Sequence, residues 1–251
     1  MKLFDKKRES NLTNSTDALH NLFQPNNQQA KNVVFFLEKC WESYEPYAEK
    51  NFLTDFFGKG FRQRCWEIYF WHRLTDLGFS LSQPGAGMPD VEVMVDDYKI
   101  FIECISPTEG EGDNKIKVNH MNTTAQKVPT DKILLRITSS IYDKSKQAKK
   151  RKEKTGNSPY IIAIDVSQLK RWGFDEDYYF RSVYPVGNPI VYFDFESDDS
   201  FSPSRENYES VSTINKMDDI PILTTSFLEG TDYCHISAIY TVMPTSLESR
   251  V

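Results

Sequence analysis

The sequence predicts an α/β fold, a mixed central β-sheet flanked by helices. Three observations lead to it. Apolar residues recur at helical spacing before Gly78 and again over 130–155; two adjacent strand-like segments lie between Asp90 and Ile105; two further apolar runs follow the second helical region.

Composition bounds the rest. The 251 residues are 39% hydrophobic and 26% charged, ordinary for a chain that builds a core. No apolar run approaches the roughly 18–20 residues that cross a bilayer. The N-terminus carries basic residues with no apolar segment behind them, unlike a secretory signal. A cytoplasmic protein without membrane association is expected. The net charge of −6 argues against polyanion binding over the whole surface, so nucleic-acid contacts would concentrate on a local basic stripe. Cys40, Cys65, Cys104 and Cys234 have neither C-x-x-C nor zinc-finger spacing, and each sits among apolar neighbours, which reads as buried thiol.

In chain order, residues 1–30 are rich in Asn, Gln, Ser and Thr and read as a mobile arm, leaving 31–251 as one domain. A helix is expected from Ala30 to about Lys50 and a second from about Lys59 to Leu77, with Gly78 placed to end it. Asp90–Val95 alternates, and Tyr98–Ile105 is nearly all apolar, as in a buried strand. Residues 106–131 read as a long functional loop. A helix over Thr130–Thr155 follows, stopped by Gly156. Tyr160–Val166 and Ile190–Phe195 read as buried strands, 196–232 as irregular, and Cys234–Val242 as an edge strand.

The hairpin carries the functional reading. Asp96-Asp97 is a two-residue connection, typical of tight hairpins. With that turn Val95 pairs with Tyr98, and counting back along both strands sets Asp90 opposite Glu103. Directly opposed residues share a face, with Cβ atoms about 4.5–5.5 Å apart. Two carboxylates there need positive charge. Either a hard dication with oxygen ligands supplies it, the Cys104 carbonyl being a third ligand, or Glu103 pairs with a Lys or Arg.

Met88-Pro89-Asp90, followed after twelve residues by Glu103-Cys104-Ile105, resembles the signature of the PD-(D/E)XK nuclease superfamily, the restriction-endonuclease-like fold. The helix around Glu67 looks like that family's first helix, whose Glu often joins the metal site. Val128-Pro129, Leu134–Ile137, Lys144 and Pro159–Ile164 extend the resemblance over roughly residues 60–166. It implies that Asp90, Glu103, the Cys104 carbonyl and Glu67 bind Mg²⁺ or Mn²⁺ in a phosphodiester hydrolase acting on nucleic acid, DNA before RNA. It also admits a homodimer or a protein partner. The sequence departs from the family at Ile105, where the motif lysine belongs.

A substitute is available on the third helix. At 100° per residue, Arg136, Ser140, Lys144 and Gln147 share one side, next to an apolar strip of Ile133, Ile137 and Ile141. Lys144 is the candidate catalytic lysine, with Arg136 and Gln147 on the substrate side; a merely solvated face is the alternative. From Lys144 to Lys154 there are seven Lys or Arg against one Glu, suited to a phosphate backbone or simply to solvent. Glu67 shares its face with Phe70, Trp71 and Leu74, so it needs a metal or a basic partner. The glycines of Gly85-Ala-Gly87 and Gly110-Glu-Gly112 lack the context of phosphate loops. His120 is the one histidine placed to act as a late acid. The rival function is a nuclease-fold protein without activity, serving as a nucleic-acid- or protein-binding module.

Overall fold

The structure, a computed structural model, describes residues 2–4, 27–112, 115–116, 128–172, 176–195, 201–215, 221–223 and 233–241. Most of the expected N-terminal arm, and His120 with most of the loop around it, lie outside the described residues. Residues 2–4 are docked rather than free. Leu3 is fully buried, and the backbone N–H groups of Leu3 and Phe4 donate to the Glu38 carboxylate at 2.9 and 2.8 Å.

Within the span expected to be one domain, the chain forms two compact units interleaved in sequence. The first is Met1–Ser106, Gln147–Gln168 and His235–Val251; the second is Pro107–Lys146 and Leu169–Cys234.

The first unit opens with α1 (Gln28–Tyr44), whose Asn27 cap accepts a bond from the Ala30 N–H. The expected helix to Lys50 ends early because Pro46 forces a 3₁₀ turn over Glu45–Tyr47. A short α2 (Phe52–Phe56) and then α3 (Phe61–Asp76) follow. Gly78, at φ 83°, ends α3 as expected: its N–H donates to Thr75 and that of Phe79 to Leu74, the paired bonds of a Schellman stop.

The sheet runs in the order β1 (Ser80–Ser82), β2 (Val91–Val95), β3 (Tyr98–Ile105), β4 (Tyr160–Ile164) and β9 (Ala238–Thr241). The pairs β1–β2 and β2–β3 are antiparallel, whereas β3–β4 and β4–β9 are parallel. The fold is therefore α/β with a mixed sheet flanked by helices, as the sequence predicts. Strand β1 was not anticipated; it is short and polar, an edge without an alternating signal. Leu37, Trp41, Phe61, Trp66 and Trp71 of α1 and α3 pack with Val91, Val93, Ile102, Cys104 and Ala163 on one face of the sheet. Trp66 and Trp71 are core residues.

In the second unit, α4 (Thr130–Thr155) begins; the helix passes into the first unit after Lys146 and ends at Gly156, φ 61°. Its expected apolar strip is fully buried at Ile133, Ile137 and Ile141. The same unit holds α5 (Glu176–Val183), packed through the Thr138 hydroxyl, which donates to the Ser182 carbonyl at 3.1 Å.

Three expectations fail in this unit. Ile190–Phe195 belongs to β5 (Val186–Phe195), paired with β6 (Phe201–Ser210) in a sheet of their own, and Ile190, Val191 and Tyr192 are exposed. The edge of the main sheet beside β4 is β9, within the edge strand expected over Cys234–Val242. The segment 196–232, read as irregular, contains β6, β7 (Thr213–Asn215) and β8 (Pro221–Leu223); β6 is mostly polar, and β7 and β8 are too short to show an alternation. Cys234, expected to be buried, is exposed in the turn before β9, while the other three thiols are buried.

Candidate metal centre

The hairpin register is the one read from the turn. Val95 pairs with Tyr98 and Val91 with Ile102, and Asp96 takes φ 51° to close the connection. The ladder stops there, one step short of Asp90 and Glu103. Instead of continuing the strand, Asp90 turns its carboxylate onto the ladder: Oδ2 accepts the Cys104 N–H at 2.7 Å. The carboxylate thus touches the peptide that joins Glu103 to Cys104.

Gln63, a residue the sequence reading passed over, completes that edge. From α3 its Nε2 donates to the Cys104 carbonyl at 2.7 Å, and its Oε1 accepts the Ser106 N–H at 2.7 Å. One carboxamide therefore does the work of a neighbouring strand where β2 has ended. The same Nε2 also donates to Glu67 Oε1 at 2.9 Å, so the Glu67 carboxylate and the Cys104 carbonyl share one donor.

Glu67 is buried at 5% exposure and paired with Arg64 at 2.7 Å. Burial raises its pKa, and Arg64 and Gln63 oppose the rise. Arg64 also meets Asp55 at 2.8 Å and lies over the Phe52 ring at 5.1 Å. Burial, with Glu67 and to a smaller extent Asp90, pushes the Tyr44 hydroxyl well above the ordinary tyrosine range, and Arg64 opposes the rise.

Glu103 alternates with Cys104 along β3, so it leaves the opposite face of the strand from the α3 core. There its Oε2 is bonded by Arg151 Nη1 at 2.5 Å and by the Tyr160 hydroxyl at 3.2 Å. Its side chain is 3% exposed and that of Arg151 20%. Burial works against the Arg151 charge, but Glu103 and the Tyr160 hydroxyl together outweigh it and the guanidinium pKa is raised. Burial and Glu103 raise the Tyr160 hydroxyl as well. Of the two ways of neutralising Glu103, the basic partner is the one present. Arg151 belongs to the stripe already drawn through Lys144 and Gln147, two turns beyond Lys144; helical spacing alone pointed at the right stripe.

The remaining candidates divide between the units. Gln147 and Lys144 are half-buried on α4, Gln147 in the first unit and Lys144 in the second. Arg136, in the second unit, donates through Nε to the Thr108 carbonyl at 2.9 Å, holding the start of the long loop, and a Cβ added at Gly110 would meet its side chain at 3.4 Å. Burial lowers its pKa, with Asp143 and Glu111 opposing.

The donors around the Cys104 peptide are hard oxygens of the kind Mg²⁺ and Mn²⁺ take. Asp90 and Glu103 fit that chemistry, with Arg151 standing at the second carboxylate. Glu67 lies on the α3 side and is tied to Arg64 and Gln63. Among the described residues no group of three His, Cys, Asp or Glu forms a ligand cluster, and no helix is long and apolar enough to cross a membrane. No family model matches the chain, and no curated protein or solved structure is significantly similar to it.

Proposed function

We propose that the chain is a metal-dependent phosphodiester hydrolase acting on nucleic acid, with DNA the first substrate to test. The observation that carries the reading is the Asp90 carboxylate bonded to the peptide that bears Glu103. Asp90 and Glu103 hold the cation, Mg²⁺ or Mn²⁺, from one strand end. When bound it lowers the pKa of a water and offsets charge building on phosphate. Glu67 acts at one remove: through Gln63 it fixes the Cys104 carbonyl at the rim of the site. Ile105 offers no cation where the superfamily signature has lysine, so positive charge for the phosphate comes from the first-unit part of α4, by way of Arg151.

The test is nicking of supercoiled DNA in Mn²⁺. Asp90→Asn and Glu103→Gln should each lower the rate by about 100-fold or more. Nicking that survives both changes rules the proposal out.

A second reading has its own support in the Arg151–Glu103 pair, which occupies the carboxylate as a structural ion pair would. In it the protein binds without cleaving, using the exposed Lys149, Lys150, Lys152 and Lys154. Salt-sensitive DNA binding with no nicking by the unaltered protein favours that version.

A further inference from the structure

We propose that Arg151 is an exchangeable counter-ion for Glu103, so that a divalent cation takes the carboxylate as the guanidinium leaves it. The inference rests on the metal reading of Asp90 and Glu103. A carboxylate exposed by 3% needs a cation beside it at all times. Two cations on one carboxylate repel each other, so occupation by the metal and by Arg151 compete.

Arg151 is built to move and Arg64 is not. Arg64 is held by Glu67, by Asp55 and by the Phe52 ring. Arg151 is bonded through one terminal nitrogen, Nη1, to Glu103 and to the Tyr160 hydroxyl. It lies four residues before the buried Thr155 in the last turns of α4, flanked by the exposed Lys150 and Lys152. A rotamer change carries the guanidinium from the carboxylate to that solvent-facing basic surface. Tyr160 stays behind, its hydroxyl donating to Glu103 Oε2.

The experiment is Mn²⁺ titration of the full chain by calorimetry, with Mg²⁺ titration followed by ¹⁵N NMR of the arginine side chains. Arg151→Gln should bind Mn²⁺ about tenfold more tightly than the unaltered protein. The double variant Arg151→Gln with Glu103→Gln should lose that gain. In the unaltered protein, Mg²⁺ should turn the Arg151 Nη–H signal from a protected one into a solvent-exchanging one, a readout available even if Arg151→Gln does not fold. Unchanged or weaker Mn²⁺ binding by Arg151→Gln, or an Arg151 signal unmoved at saturating Mg²⁺, overturns the exchange. If Mn²⁺ binding then still depends on Asp90, the metal site stands without it. Absence of Mn²⁺ binding in every form overturns both.

Discussion

Glu67 and Glu103 are both buried carboxylates of the first unit, each set against an arginine, yet the two pairs are built differently. Glu67 and Arg64 are three residues apart on one helix, and the arginine is shared with Asp55. Glu103 and Arg151 are 48 residues apart, on a strand and on the end of a helix, and the pair is completed by a tyrosine. The first is a local clamp that belongs to α3. The second ties the end of α4 to the centre of the sheet, one residue before the Cys104 amide that Asp90 accepts. A charge pair made within one helix survives rearrangement of the sheet; one made across elements reports on how those elements dock.

The largest effect separating them should come from Arg151→Met. It leaves Glu103 in the core without its cation, and breaking a buried pair from one side costs about 3–5 kcal/mol. Because Arg151 is one-fifth exposed, the lower end, about 3 kcal/mol, is expected from urea unfolding. Adding Glu103→Gln should recover most of that loss, since the orphaned charge is gone. A single-variant loss below about 1 kcal/mol would make the pair no more than a surface contact.

Arg64→Met should cost less, about 2 kcal/mol near pH 8, and the loss should shrink towards pH 5. The sign follows from Glu67. Its pKa is raised above the ordinary 4.5, so the folded protein holds this proton more tightly than the unfolded chain. That contribution is fully present below 4.5 and is lost as pH rises through the folded value. Arg64 lowers the Glu67 pKa; removing it moves the folded value further up and carries the loss to higher pH. Unfolding midpoints measured at pH 5 and pH 8 check this, and an equal loss at both would mean that Glu67 is not the group left behind.

The difference between the pairs also explains what was legible in the sequence. The strands and the register from Val95–Tyr98 to Val91–Ile102 followed from a two-residue turn, because fixing one pair fixes the next; the expected pairing of Asp90 with Glu103 did not form, since β2 ends at Val91. Glu67 was legible as a carboxylate needing a partner, and Arg64 stood one turn away. Arg151 was readable as a member of the Lys144 stripe, but which member meets Glu103 depends on how far α4 slides along the sheet, and each turn shifts it by about 5.4 Å. The separate β5–β6 sheet was missed because an apolar run does not name its partner strand. Strand β6 was missed because its sequence is mostly polar, and β7 and β8 because three residues each are too short to show a period, even with Ile222 buried.

Gln63 was missed for a further reason: its role exists only because β2 stops at Val91 rather than at Asp90. Had the ladder run one pair further, the backbone itself would have met the open edge of β3. Gln63→Ala should therefore have the smallest effect of the three, about 1–2 kcal/mol, the cost of leaving the Cys104 carbonyl and Ser106 N–H without their partner where water has little access. Hydrogen exchange locates the loss. The Ser106 amide should exchange faster in Gln63→Ala, while the Cys104 amide, held by Asp90, should stay protected. If both amides open together, the carboxamide and the carboxylate form one unit, and the α3 side and the Asp90 side of the centre are not separable. If the Ser106 amide alone opens, Gln63 serves the α3 side, and Asp90 keeps its hold on the Glu103–Cys104 peptide without help from Glu67.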